Sequence, residues 1–235
     1  MEKVTTEPRF QRSSSKCTLR QEIRNYIQSQ IVSGIYRAGD RIVETQLARE
    51  LNVSQAPVRE AILELASMGL LEERPYSGTF VRKLSPEDIE DIYNTRAFIE
   101  EYAARQAAKR ATSEQLHQMK NLLHQMETAD SYRTFAQLDI AFHALIVDAA
   151  GSPALKRAWN YLLLGEWTSL SVAVTQSTLT DLVRQHRSIY NYLCQREERS
   201  AGAYMFLHIK NFGEEMIQHY QEWSADLSDL PNAKH

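Results

Sequence analysis

The sequence predicts a mainly α protein in two parts. A small front unit of helices closed by a β-hairpin is followed by an all-helical antiparallel bundle. Three observations carry this expectation. Between residues 18 and 83, apolar runs of helical period alternate with Gly-containing turns and two short β-like runs. From Ser85 onward the periodic segments are long, their connections are short and no strand pattern occurs. The charge is also uneven: residues 1–83 carry 13 Lys/Arg against 10 Asp/Glu, whereas residues 84–235 carry 14 against 20. A mildly basic front and an acidic rear suit contact with a polyanion at one end only.

At 235 residues the chain has room for two domains of ordinary size, and 43% hydrophobic residues suffice for two buried cores. Cys17 and Cys194 are far apart and form no CxxC, which points to a reducing cytoplasm rather than a disulfide framework. No apolar run approaches the roughly 18 residues that a membrane span requires. Residues 1–17 are polar, lack the apolar centre of a signal peptide and read as a disordered basic arm.

In the front unit (18–83), Thr18-Leu-Arg-Gln21 has capping-box spacing, and Ile23, Ile27 and Ile31 follow on one helical face, ending near Gly34. A turn at Gly39-Asp40 leads into a short strand at Arg41–Val43. Glu44–Leu51 is a short second helix. The third, about Gln55–Met68, opens on Ser54 as N-cap with Pro57 in the tolerant first turn, and Gly69 closes it. A turn at Pro75–Gly78 and the run Thr79-Phe80-Val81 complete a hairpin. Helix, short helix, tight turn, helix and hairpin is the order of a winged helix-turn-helix.

The rear unit (84–224) reads as six helices: Ser85-Pro86 to about Ala111, Thr112 to about Ala129, Tyr132–Ala150, Ser152-Pro153 through roughly Val174, Leu179–Arg196 and Arg199–Trp223. Residues 225–235 form a tail. Asp139 and His143 stand one turn apart on the third of these helices. His186 and His208 interrupt apolar rhythm at the centres of the fifth and sixth. His117, His124, His219 and His235 read as surface or partly buried polar positions. Polar groups pointing into a bundle need partners. One reading is four unrelated residues, each hydrogen-bonded locally. The other is a shared divalent cation, for which three imidazoles and a carboxylate suit zinc foremost, with nickel, manganese, iron and cobalt also admissible. Arg96 shares a helical face with Tyr93 and Glu100. It forms either a solvated ion pair with Glu100 or a guanidinium aimed at a carboxylate ligand.

The stretch LNVSQAPVREAILELASMGLLEERPYSGTFV resembles the winged helix-turn-helix of the GntR superfamily of bacterial transcription regulators. The helical rear resembles the FCD domain of the FadR-type branch, on the residues Arg96, Asp139, His143, His186 and His208. Front marks include Gly34, Gly39, Leu47-Ala48, Pro57–Ala61 and Gly69-Leu70. The resemblance implies a divalent metal on Asp139, His143, His186 and His208, a small carboxylate effector beside it at Arg96, and a homodimer on a palindromic DNA operator. One departure stands out: the family commonly has Ser-Arg-Thr-Pro where this chain has Ser54-Gln55-Ala56-Pro57. Arginine reads guanine bidentately, whereas glutamine prefers adenine or a phosphate, so the operator should differ from the commonest sites.

These readings make Ser54, Gln55, Ala56 and Arg59 the expected DNA-facing residues of the third helix. Arg37, Arg41 and Arg49 are candidates for phosphate contacts, with surface solubilisers as the alternative, and Tyr76, Ser77 and Gly78 form the wing tip. Two other function classes remain at this stage. One is a metal-dependent hydrolase or isomerase with a DNA-binding-like appendage, although no general base lies near the four ligands in sequence. The other is a winged helix that contacts only proteins.

Overall fold

The structure is a computed structural model that describes residues 18–32, 35–162, 172 and 175–228, with the side chains of Val32 and residues 219–228 excluded. The expected basic arm at 1–17, the helix stop at Gly34, residues 229–235 of the tail and the side chains of His219 and His235 lie outside the described residues. The chain divides into two units between Leu84 and Ser85.

In the front unit, α1 (Leu19–Val32) starts at a reciprocal capping box: Gln21 N donates to Thr18 Oγ1 at 3.4 Å and Thr18 N donates to Gln21 Oε1 at 3.0 Å. It is followed by β1 (Arg41–Ile42), α2 (Glu44–Glu50) and α3 (Gln55–Ser67), then β2 (Leu71–Arg74) and β3 (Gly78–Val81). The strands form an antiparallel sheet in the order β1-β3-β2, with Arg41 opposite Phe80 and Leu71 opposite Val81. β1 is one residue shorter than expected because Val43 already serves as the N-cap of α2. Ile23, Ile27, Leu47, Val58, Leu65, Leu71 and Val81 meet in one core, so the helical and strand periodicities converge on the same centre.

In the rear unit, α4 (Pro86–Arg110), α5 (Ser113–Glu127), α6 (Tyr132–Ala149), α7 (Pro153–Tyr161), α8 (Leu179–Cys194) and α9 (Glu198–Ser228) are all helical. α4 packs along α9, α6 packs against α4 and α5, and α8 lies against α5 and α9. Capping boxes at Ser85 with Asp88 and at Thr112 with Gln115 open α4 and α5. Ser131, Ser152 and Thr178 cap α6, α7 and α8. α7 ends earlier than expected, at Tyr161 with Leu162 as its C-cap; of the anticipated continuation to Val174, only Val172 is described, in helical conformation. α8 stops two residues short of Arg196, which has φ +59° and donates its guanidinium to the carbonyls of Ala108 (3.0 Å) and Ala111 (2.8 Å). Arg196 therefore satisfies orphan carbonyls at the end of α4 instead of extending its own helix. Among the described residues no helix is long and apolar enough to cross a membrane.

Candidate metal centre and nucleic-acid interface

α6, α8 and α9 bring His143, His186 and His208 together in the bundle interior, where all three are buried. One ring nitrogen from each lies within 4.8 Å of the others. The ring centroids are 4.9 Å apart for His186 and His208 and 5.5 Å for the other two pairs. Asp139, one turn before His143, is 2% exposed and meets the same cluster. Its Oδ1 contacts His186 Nε2 and lies 3.3 Å from His143 Nε2.

The outward ring nitrogens define the chemistry. His143 Nδ1 donates to the Glu100 carboxylate, His186 Nδ1 to the Leu182 carbonyl at 2.8 Å and His208 Nδ1 to Gln185 Oε1 at 2.8 Å. Each imidazole is thus held through Nδ1, and the Nε2 atoms of His143 and His186 face Asp139 Oδ1. An imidazole oriented by an acceptor on its far nitrogen is the arrangement of a metal ligand. His143 Nε2 is buried without a hydrogen-bond partner, an atom that a cation would satisfy. The three imidazoles therefore fit a borderline-soft divalent ion bound through nitrogen.

Electrostatics agree with a site built around positive charge. Burial disfavours the charged form of Asp139, but His186 and His143 outweigh it and hold the carboxyl well below the usual carboxylate range. Burial likewise opposes ionised Glu100, yet Arg96 and His143 hold it down at about 2. His143 is pushed up to about 9, because Glu100 and Asp139 overcome the desolvation of its charged form. His208 moves the other way: burial and the neighbouring His186 and His143 keep it neutral.

Arg96 does not form a solvated pair, as the simpler sequence reading had it. Arg96 and Glu100 are each 1% exposed, and Arg96 Nε donates to Glu100 Oε1 at 2.7 Å. Trp159 Nε1 donates to the same oxygen at 3.3 Å. Sequence reasoning missed Glu100 as a neighbour of the cluster, and Trp159 with it. The available signal was that Glu100 lies two turns from Tyr93 and one from Ala103 and Ala104, all of them buried.

At the front, Ser54, Gln55, Ala56 and Arg59 are exposed at the N-terminal end of α3. Ser54 occupies the N-cap position with extended backbone, but its hydroxyl makes no cap hydrogen bond, contrary to expectation. Arg59 Nε donates to Glu44 Oε2 at 2.9 Å, a partner at the start of α2 that the sequence did not indicate. Arg49 Nε donates to its own helix at Thr45 O (3.3 Å), and Arg37 is exposed with its backbone N–H on Asp40 Oδ2 at 2.7 Å. Arg41 joins the wing: its guanidinium lies against Gly78, where a Cβ would stand 3.1 Å from Arg41 Nε. Gly78 also has φ +108°, which is the feature that calls for glycine at this hairpin position. Tyr76, at φ +61°, projects fully into solvent at the turn beside Ser77.

Residues 19–81 match the family model described as bacterial regulatory proteins, gntR family, and residues 91–211 match the FCD domain model. A probable D-xylose utilization operon transcriptional repressor of Paenarthrobacter nicotinovorans is 33% identical, covering 76% of this chain and 80% of that protein. The transcriptional repressor RspR of Escherichia coli K12 is 30% identical over 89% of this chain and 93% of its own length. Among solved structures, McbR/YncC of E. coli superposes with a TM-score of 0.72 at 20% identity, covering 88% of this chain and 99% of that one. The last likeness concerns the fold alone.

Proposed function

Because this chain belongs to the gntR family of bacterial regulatory proteins and carries an FCD domain, it is a transcription regulator and not an enzyme, and we propose that its grip on DNA is set by a small carboxylate effector binding beside a divalent metal in the rear unit. The observation that carries the proposal is the buried cluster of three imidazoles, one ring nitrogen of each within 4.8 Å of the others, each anchored through Nδ1, with Asp139 against two of them. Asp139, His143, His186 and His208 hold the ion, zinc first among the candidates. When bound, it supplies a fixed positive charge and open coordination for a ligand oxygen. Arg96, beside Tyr93 with its guanidinium 5.8 Å from the ring centroid, is the residue that pairs with the effector carboxylate.

The front unit inserts the N-terminal end of α3 into the major groove. Ser54, Gln55, Ala56 and Arg59 face bases, Arg37, Arg41 and Arg49 face phosphates, and Tyr76, Ser77 and Gly78 lie along the backbone or minor groove. The protein acts in the cytoplasm as a homodimer on a palindromic operator. Effector binding redistributes it between DNA-competent and DNA-incompetent arrangements.

Metal analysis of untagged protein purified without chelator tests the first half of this reading. A near-stoichiometric divalent metal in the wild type, lost in His143→Ala with His208→Ala, is the expected result; full metal retention in the double variant sinks the site. A thermal-shift screen of small carboxylates on loaded protein tests the second half. The hit should change affinity for the chain's own upstream DNA, and should fail to do so in Arg96→Ala.

A further inference from the structure

α7 has nine residues and one buried side chain, that of Trp159. Leu155 and Ala158, on the same face, are half-buried, and the rest are exposed. A helix this short is not stable by itself in water, so tertiary contact decides where it lies. The Ser152 cap and the exposed Lys156–Asp148 pair at 2.6 Å secure its start. Its other end is secured by Trp159, whose Nε1 donates to Glu100 Oε1 at 3.3 Å. The indole is not the favoured donor to that oxygen. Arg96 Nε holds it at 2.7 Å with a full positive charge, while His143 Nδ1 holds the other oxygen. Hydrogen bonds from charged donors are shorter and roughly twice as strong as neutral ones, so the indole has the longer, weaker share of Oε1.

We infer that Trp159 is a positioning residue for the effector site: it takes up the Glu100 carboxylate as Arg96 turns to an effector carboxylate, and in doing so draws α7 onto the bundle. The inference rests on the effector reading above and adds the element that responds. An incoming carboxylate competes for the Arg96 charge that now serves Glu100. Glu100 is 1% exposed, so water does not replace what it loses, and its bonds to the donors that remain must strengthen. Among the described residues, the donor remaining on Oε1 is the indole. A shorter Nε1–Oε1 bond moves Trp159 toward α4. The rest of α7 follows, because no other side chain of it is buried. The coupling is reciprocal: whatever detaches Trp159 from Glu100 weakens the effector.

Indole proton–nitrogen spectra of the full, metal-loaded chain test this. The chain has three tryptophans, and the signal absent in Trp159→Phe identifies that of Trp159. Arg96→Met removes the competing donor without any ligand. It should move the Trp159 indole proton downfield and slow amide exchange across α7 by about tenfold. Acetate, the simplest carboxylate, titrated onto the wild type should move the same signal in the same direction. Trp159→Phe should weaken acetate binding by about tenfold. It should lower metal affinity far less than Glu100→Gln does, because His143 keeps its acceptor. An indole that only fills space would respond neither to Arg96→Met nor to acetate. A signal unmoved by Arg96→Met, or by acetate that calorimetry shows to be bound, overturns the inference and leaves the effector reading standing. A wild type that binds no acetate even at high concentration, or binds it no better than Arg96→Met, overturns both. Should Arg96→Met fail to fold, the acetate titrations of the wild type and of Trp159→Phe decide by themselves.

Discussion

Glu100 accepts a hydrogen bond from His143 Nδ1 and, through its other oxygen, one from Arg96 Nε at 2.7 Å. A single buried carboxylate therefore joins the arginine proposed to meet the effector to a histidine proposed to hold the metal. It fixes the His143 tautomer and neutralises Arg96 at the same time. Trp159 Nε1 closes on the same carboxylate from α7, so α4, α6 and α7 share one polar junction. A rearrangement at Arg96 cannot leave His143 untouched while this junction holds.

Glu100→Gln should separate these roles. The amide keeps the shape but removes the charge that both Arg96 and His143 use. Metal affinity is expected to fall about 10- to 100-fold, the usual cost of losing an outer partner of a ligating histidine. Competition against a chromophoric chelator measures it. Stability should fall too, by about 3–5 kcal/mol, because the buried Arg96 loses the carboxylate to which its Nε donates. Glu90→Gln, at an exposed position of the same helix, should do neither. An unaltered metal affinity in Glu100→Gln would remove Glu100 from any role in the site.

The same junction fixes a pH dependence in chelator-stripped protein. His143 is raised from 6.5 to about 9 in the folded chain. Its stabilising contribution is complete below 6.5 and disappears as pH rises through 9. Glu100 is lowered from 4.5 to about 2, so its contribution is present above 4.5 and disappears as pH falls through 2. Stripped protein should therefore show a melting temperature that declines from pH 6.5 to 9. Metal must displace the His143 proton, so metal affinity should rise across that same window by up to about tenfold per pH unit. A melting temperature flat from pH 6.5 to 9 in stripped protein would contradict a charged His143.

Much of this was legible in the sequence where local chemistry decides it. The Thr18 capping box forms as its spacing indicates, and helical period places Asp139, His143, His186 and His208 in the bundle interior. The winged helix-turn-helix and the helical rear follow from the order of elements. The parts that were not legible are long-range pairings. Arg59 with Glu44 joins two helices, and Arg196 reaches back to the end of α4. Glu100 meets His143 only because α4 and α6 pack together. An i, i+4 Arg–Glu pair looks the same in sequence whether it faces water or a core. Burial alone separates the two, and burial is a property of the packed bundle.

Ser54 and Ser85 both stand at N-cap positions with extended backbone, but only Ser85 accepts a hydrogen bond from its helix. Ser85→Ala should cost about 1 kcal/mol of stability, as cap removal usually does, and Ser54→Ala well under that. If Ser54 faces DNA, its loss should appear in operator affinity instead. Thermal denaturation and fluorescence anisotropy on the chain's own upstream DNA, run on both variants, should give opposite rankings. A large stability loss in Ser54→Ala would mean that the hydroxyl serves the helix after all.

The Arg59–Glu44 contact bears on how the front unit reads bases. Glu44 engages Nε of an exposed guanidinium, which orients its terminal nitrogens without consuming them in that bond. A guanidinium held in this way is arranged for bidentate contact with guanine, a contact typically carrying about 1–3 kcal/mol of discrimination. Arg59→Ala should accordingly weaken operator binding about 5- to 150-fold, concentrated at one base pair per half-site. Glu44→Gln should weaken binding less, because it loosens the arginine without removing it. Gln55 is the exposed first residue of α3, where the family resemblance implies arginine. Gln55→Ala should relax preference at a neighbouring base, and Gln55→Arg should shift that preference toward guanine. Selection of bound sequences from a randomised half-site library reads all four variants together. Equal losses on every sequence would assign Arg59 to the phosphates and leave base recognition to other residues.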